Sequence, residues 1–294
     1  MIVLLILGIA VIFLGMVMTA ILSFFDPSSG LSFSNKIGVI PIQGTIVDSE
    51  QTVLQLVKFK KDKRIKAIIL RINSPGGGVG ASQEIYREVR KTIQTKKVIA
   101  SLGGVAASGG YYIASAGDKI VANPGTLTGS IGVLMEFLQV QELAKKIGIH
   151  LEVLKSGEFK DIGSPHRKLS ERDKELIKGL ITDIQEQFIS AVARGRGLSK
   201  EKVREIADGR ILSGAMAKEL GLVDQLGNFQ DAVDLAKKMA GIEGDVTLVF
   251  PKKTRLKLWD LIFRSAAKAF AKAVIDSLKT RIEYRWDGLS YSYG

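Results

Sequence analysis

Gly103-Gly-Val-Ala-Ala-Ser-Gly-Gly-Tyr-Tyr112 lies between an apolar strand at 97–102 and the start of an apolar helix at 111–116. Ser108 therefore falls on a strand-to-helix turn. There Gly109 and Gly110 let the backbone approach a substrate closely, and the open N–H groups of a helix start can face a developing oxyanion. The pattern is a relaxed nucleophile elbow, with Ala106 where the usual motif has glycine. Taken alone, the decapeptide is better explained as a tight helix N-cap.

Outward from that turn the chain alternates short strands and helices. Strands are expected at 37–42, 65–72, 97–102, 119–122 and 150–154, and helices at 49–60, 82–95 and 140–147. This alternation predicts an α/β core with largely parallel strands. Three more helices follow at 170–194, 199–207 and 231–239, the first opened by a capping box, Ser170-x-x-Asp173. Internal repeats are absent.

The 294 residues suffice for one large domain or two small ones. With no cysteine, disulfides, Cys-ligated zinc and a thiol nucleophile are excluded. The net charge of +12 is spread over several helices without a nucleic-acid-binding motif, so an anionic membrane surface is the simpler partner. Residues 1–25 carry no charge and are long enough to span a ~30 Å hydrocarbon core, which predicts an uncleaved transmembrane anchor. A linker at 26–36, a catalytic domain at 37–250 and a tail at 251–294 complete the division. In the tail, Trp259, Phe263, Phe270 and Val274 share one helical face and Arg264, Lys268 and Lys272 the other. That pattern fits a basic amphipathic helix on a membrane or partner as well as one packed on the domain. An extended end, 285–294, follows it.

The glycine run in Ile72-Asn-Ser-Pro-Gly-Gly-Gly-Val-Gly80 closes one strand, at the carboxyl edge of the sheet where open α/β folds bind ligands. Gly76, Gly77 and Gly78 can present N–H groups to a carbonyl oxygen and leave room for an extended peptide; no phosphate-binding motif is present. Ser108 needs a base. His150 reads as a structural histidine beside a strand, and His166 as a surface residue of a polar loop. A desolvated lysine is the alternative. Ser199-x-x-Lys202 and Ser265-x-x-Lys268 match a bare Ser-x-x-Lys spacing by chance, in charged or amphipathic helices. The segment Lys155-Ser-Gly-Glu-Phe-Lys-Asp-Ile-Gly-Ser-Pro165 follows an apolar strand, but its residues alone do not choose between Lys155 and Lys160.

Five motifs occur in order: Asn73-Ser-Pro-Gly-Gly-Gly78, Ala106-Ala-Ser-Gly-Gly-Tyr-Tyr112, Leu127-Thr-Gly-Ser-Ile-Gly-Val133, Lys155-Ser-Gly-x-x-Lys-Asp-Ile-x-Ser-Pro165 and Ala207-Asp-Gly-Arg210. Together they resemble the signal peptide peptidase A family, peptidase family S49, over roughly 36–240. The resemblance implies a ClpP/crotonase-like fold of repeated β-β-α units, with an N-terminal transmembrane helix and a helical C-terminal part. It implies a membrane-anchored serine endopeptidase that degrades remnant signal peptides, has an extracytoplasmic catalytic domain and needs no cofactor or metal. By motif position Ser108 is the nucleophile, Lys160 the general base and Ser130 the residue that orients it, with Gly109 and one of Gly76 to Gly78 as oxyanion donors. A carboxylate beside Lys160 would keep it charged, so Asp161 is expected to turn away into a salt bridge or turn. Single-unit members of the family form rings in which serine and lysine come from adjacent subunits. A homo-oligomer with shared sites is therefore expected here, with no nucleic-acid partner. Substrate should add as a strand along the glycine loop, and the extended C-terminus could enter the same cleft and be trimmed. The alternatives are a stomatin-cleaving membrane protease, a crotonase-like acyl-CoA enzyme and an inactive membrane scaffold, for which an exposed, charged Lys160 would be the sign.

Overall fold

The strand IKAIILRINS is buried along nearly its whole length, the pattern of a parallel strand covered on both faces. The computed structural model describes residues 12–18, 35–251 and 282–285. Around β2 (Ile65–Ser74) a sheet runs in the order β10-β1-β2-β4-β5-β9, comprising β10 (Thr247–Val249), β1 (Lys36–Gln43), β4 (Lys97–Ala107), β5 (Lys119–Ala122) and β9 (Gln225–Leu226). Every pair along this path is parallel. Beyond the point where β5 leaves it, β4 pairs with β6 (Leu127–Gly129), which pairs antiparallel with β8 (Ile211–Ser213).

Helices cover both faces. One core joins Ile40, Ile68 and Leu70 of the sheet to Leu56 of α2 (Glu50–Lys61), Ile85 of α3 (Val79–Thr92), Tyr111 of α4 (Gly109–Ala114) and Phe188 of α6 (Glu171–Arg196). On the other face Ile37, Val39, Ile69 and Ile99 pack on Ala232, Val233 and Ala236 of α9 (Phe229–Met239). α6 begins at the expected capping box, in which the Ser170 hydroxyl accepts from the Asp173 N–H and the Asp173 carboxylate from the Ser170 N–H. It ends on Gly197 in the left-handed conformation. Two short helices, α7 (Lys200–Arg204) and α8 (Gly214–Glu219), complete the described C-terminal part.

Several expectations need correction. The strand expected at 97–102 continues to Ala107 across a register shift, with Leu102 opposite Ile72 and Ala106 opposite Ser74, and β2 likewise runs on through Ser74. The expected glycine loop contains a strand, β3 (Gly76–Gly78), and α3 starts at Val79 rather than 82. The helix expected at 140–147 is α5 (Gln141–Lys146). Residues 150–154 join no ladder among the described residues; Leu151, Val153 and Leu154 are exposed, the last at 93%. Their apolar alternation describes a face that is left uncovered among the described residues. His150 is accordingly exposed, and His166 is half-buried rather than on the surface.

Of the anchor expected at 1–25, residues 12–18 form a helix, α1, with Ile12, Phe13, Leu14 and Met16 exposed; the remainder lies outside the described residues. Among the described residues no helix is long and apolar enough to cross a membrane. The expected amphipathic helix at 257–279 also lies outside them. Within the tail, Ile282–Arg285 is a strand, β11, flanked by β3 and β7 (Leu134–Met135).

Candidate active site

β4 delivers the chain directly to Ser108, whose φ of 53° and ψ of −118° turn it sharply into α4. Its N–H donates to the Gly129 carbonyl at 2.8 Å and its carbonyl accepts from the Tyr112 N–H at 2.8 Å. Ser108 is 1% exposed, and its Oγ has no hydrogen-bond partner among the described residues. The turn is held from below. Tyr111 Oη donates to the Leu222 carbonyl at 2.9 Å, and the Tyr112 ring packs 4.9 Å from those of both Tyr86 and Phe188. At Gly110 a Cβ would stand 2.9 Å from the Ser74 carbonyl oxygen, so only glycine lets α4 sit this close to β2.

Among the described residues only two non-glycine residues have positive φ, Ser108 and Ser130 at 49°. Each such conformation costs about 1–3 kcal/mol and persists where the surroundings over-determine it. The two are joined through Gly129, which accepts from Ser108 and precedes Ser130. Ser130, itself buried, donates its N–H to the Arg210 carbonyl at 2.8 Å. Thr128 Oγ1 donates to the Ala106 carbonyl at 2.7 Å, locking β6 to β4. Three of the five motifs thus meet in one turn.

A fourth supplies the neighbouring strand. The Gly76 carbonyl accepts from the Ile46 N–H and the Gly78 N–H donates to the Ile46 carbonyl, both at 2.8 Å; the Gly76 N–H donates to Ser74 Oγ at 3.1 Å. A Cβ on Gly77 would lie 2.2 Å from the Ile46 carbonyl oxygen, an approach that only glycine permits. Because backbone groups alternate along a strand, the Gly77 N–H and carbonyl point to the opposite edge. There β11 lies antiparallel, with Glu283 opposite Gly78, Tyr284 opposite Gly77 and Arg285 opposite Gly76. On its far side Ile282 and Glu283 face Met135 and Leu134 of β7. The α-carbons of β11 come within 8 Å of α4, the helix that Ser108 opens. The Gly109 N–H, in the first turn of that helix, makes no hydrogen bond within the described residues.

Lys160 is exposed on a single 3-10 turn at Glu158–Asp161. It makes no hydrogen bond to either serine. Asp161 turns into a salt bridge as expected: Arg167 Nη2 and Lys155 Nζ both donate to its Oδ1 at 2.8 Å. Those bonds, Arg167's first, hold its carboxyl well below the usual carboxylate range. Arg167 also pairs with Asp173, which is 1% exposed. The residues that the sequence did not single out are Ile46, β7, β11 and Arg167. Ile46 and β7 act through their backbone, which leaves no residue-type signal. Neither histidine bonds to Ser108, and the buried Nδ1 of His166 has no partner among the described residues. Among these residues no cluster of side chains could hold a metal ion. Ser199 accepts from the Lys202 N–H as an ordinary helix cap, in keeping with a chance match.

The profile of Peptidase family S49 matches residues 90–243, and that of Clp protease matches residues 34–126. A Synechocystis sp. protein named "Putative protease" is 44% identical over 73% of this chain and 78% of its own length. An Enterococcus faecium protein named "Putative signal peptide peptidase SppA" is 38% identical over 70% of this chain. "Protease 4" of Haemophilus influenzae is 36% identical over 73% of this chain. The chain spans 64% of the length of the Enterococcus protein and 36% of the Haemophilus one.

Proposed function

The chain belongs to peptidase family S49, and on that basis we propose that it is a membrane-anchored serine endopeptidase that cuts extended hydrophobic peptides, released signal peptides among them. The observation that carries this is β11: a strand of peptide backbone lies along Gly76–Gly78, beside the helix opened by a buried, unbonded serine hydroxyl. A substrate would take the same place by strand addition, with main-chain hydrogen bonds supplying affinity and side-chain pockets supplying selectivity.

In the reaction Ser108 Oγ attacks the scissile carbonyl while its proton passes to a neutral Lys160 amine. The Gly77 and Gly109 N–H groups receive the oxyanion. Lys160 then gives that proton to the leaving amine, and water releases the acyl group from Ser108 by the same route in reverse. Ser130 hydrogen-bonds the lysine. We infer that the base is supplied by a neighbouring copy in a homo-oligomer, whose contact would also cover the exposed apolar side chains at 149–154 and dry Lys160, which is exposed in the single chain while Ser108 is buried. An exposed lysine in the single chain therefore does not by itself mark an inactive scaffold. Residues 1–25 anchor the chain, with the catalytic domain on the extracytoplasmic side.

The test is hydrolysis of synthetic signal peptides by the full-length, detergent-solubilised protein, compared with a stomatin-derived segment and a folded protein. Cleavage of signal peptides that disappears in Ser108→Ala supports the proposal. Preference for the stomatin segment, or cleavage that survives Ser108→Ala, would refute it.

A further inference from the structure

Of the four side chains in the turn Glu158–Asp161, three are tied down and Lys160 is not. Arg172 pairs with the Glu158 carboxylate at 2.7 Å and lies over the Phe159 ring, 5.6 Å from its centroid. Lys155 Nζ donates to the Glu158 carbonyl and to Asp161 Oδ1, both at 2.8 Å. Arg167 bridges Asp161 to Asp173, donating through Nη2 to Asp161 Oδ1 at 2.8 Å and to Asp173 Oδ1 at 3.3 Å. Asp173 is fixed in turn, because it closes the capping box of α6, whose Ile177, Ile184 and Phe188 are buried. The same helix carries Phe188 against Tyr112, four residues past Ser108. One rigid element thus braces both the serine turn and the lysine turn.

We propose that Arg167, acting through Asp161 and Asp173, is a positioning residue that aims the Lys160 amine, with Lys155 and Arg172 bracing the same turn. The inference rests on the assignment of Lys160 as base. It accounts for the aspartate that directly follows this lysine: the Asp161 carboxylate is already engaged by Lys155 and Arg167. It also explains how one turn with no other regular structure can present an amine accurately. A misplacement on the order of 1 Å can cost a hundredfold in rate.

Steady-state hydrolysis of a chromogenic peptide by full-length Asp161→Asn, Arg167→Met and Arg167→Lys proteins, with melting curves, tests this. The expected result is a fall in kcat of about 10- to 100-fold with KM within about twofold of wild type and little change in melting. Arg167→Lys, which keeps one ion pair to Asp161, should lose less than Arg167→Met. Wild-type turnover in Asp161→Asn and Arg167→Met, beside an inactive Lys160→Ala, would overturn the clamp and leave the base assignment standing. In Asp161→Asn, a loss confined to KM or matched by collapsed melting would also overturn it. Wild-type turnover in Lys160→Ala would remove both. If Arg167→Met does not fold, Asp161→Asn decides, since it changes only the charge of a side chain that is 14% exposed.

Discussion

Tyr284 lies directly opposite Gly77 in an antiparallel ladder, so the chain's own last described strand occupies the edge along which a peptide would bind. A tethered strand competes at an effective concentration in the millimolar range. Deleting 282–294 should therefore lower the apparent KM for short peptides several-fold at unchanged kcat. Unaltered kinetics would show that the tail does not compete. Intact mass after incubation adds a second readout: wild type should lose C-terminal residues and Ser108→Ala should not.

Mixing Ser108→Ala with Lys160→Ala protein should restore activity if serine and lysine come from different copies. Under random exchange a fraction of sites regains both groups, so the regained rate should grow with time of mixing. No recovery in verified mixed oligomers would mean that each chain completes its own site.

Gly77→Ala places a methyl group 2.2 Å from the Ile46 carbonyl oxygen at a φ of 155°, so the glycine strand must move. Peptide hydrolysis should fall by about 100-fold or more while the protein still folds, because the strand is displaced from the Ser108 turn by a sizeable fraction of an ångström. Activity near wild type would show that this strand is not the peptide's docking edge.

Stability should depend on pH in two windows. Arg167 holds the Asp161 and Asp173 carboxyls well below the usual range. The stability they add is therefore complete above the unfolded carboxyl pKa of about 3.9 and is lost as pH falls below it. On the alkaline side, burial pushes the Tyr112 hydroxyl up to about 12 and raises that of Tyr111 as well. Their contribution is complete below the unfolded tyrosine pKa of about 10 and is lost as pH rises toward 12. Melting temperature should be flat between these limits. A decline within that window would contradict this account.

The turn at Ser108 was legible because small residues and glycines leave few other conformations open at the end of an apolar strand. The parallel core was legible for the same reason: β2 is apolar on both faces, and only a doubly covered sheet accepts that. The pairing of Tyr284 with Gly77 was not, since a three-glycine strand carries no side-chain pattern and its partner lies about 200 residues away. Residues 150–154 show the opposite failure. Their alternation announces a strand face, but among the described residues they join no ladder and Leu151, Val153 and Leu154 stay exposed. Choosing Lys160 over Lys155 needed the resemblance, and the structure adds that Lys155 is already bound to Asp161 while Lys160 is not.

The most direct measurement is the rate at which a fluorophosphonate probe labels the full-length protein, read with Ser108→Ala and Lys160→Ala alongside. The account predicts one labelled site per chain, absent in Ser108→Ala and slowed by at least about 100-fold in Lys160→Ala. Undiminished labelling in either variant would contradict it.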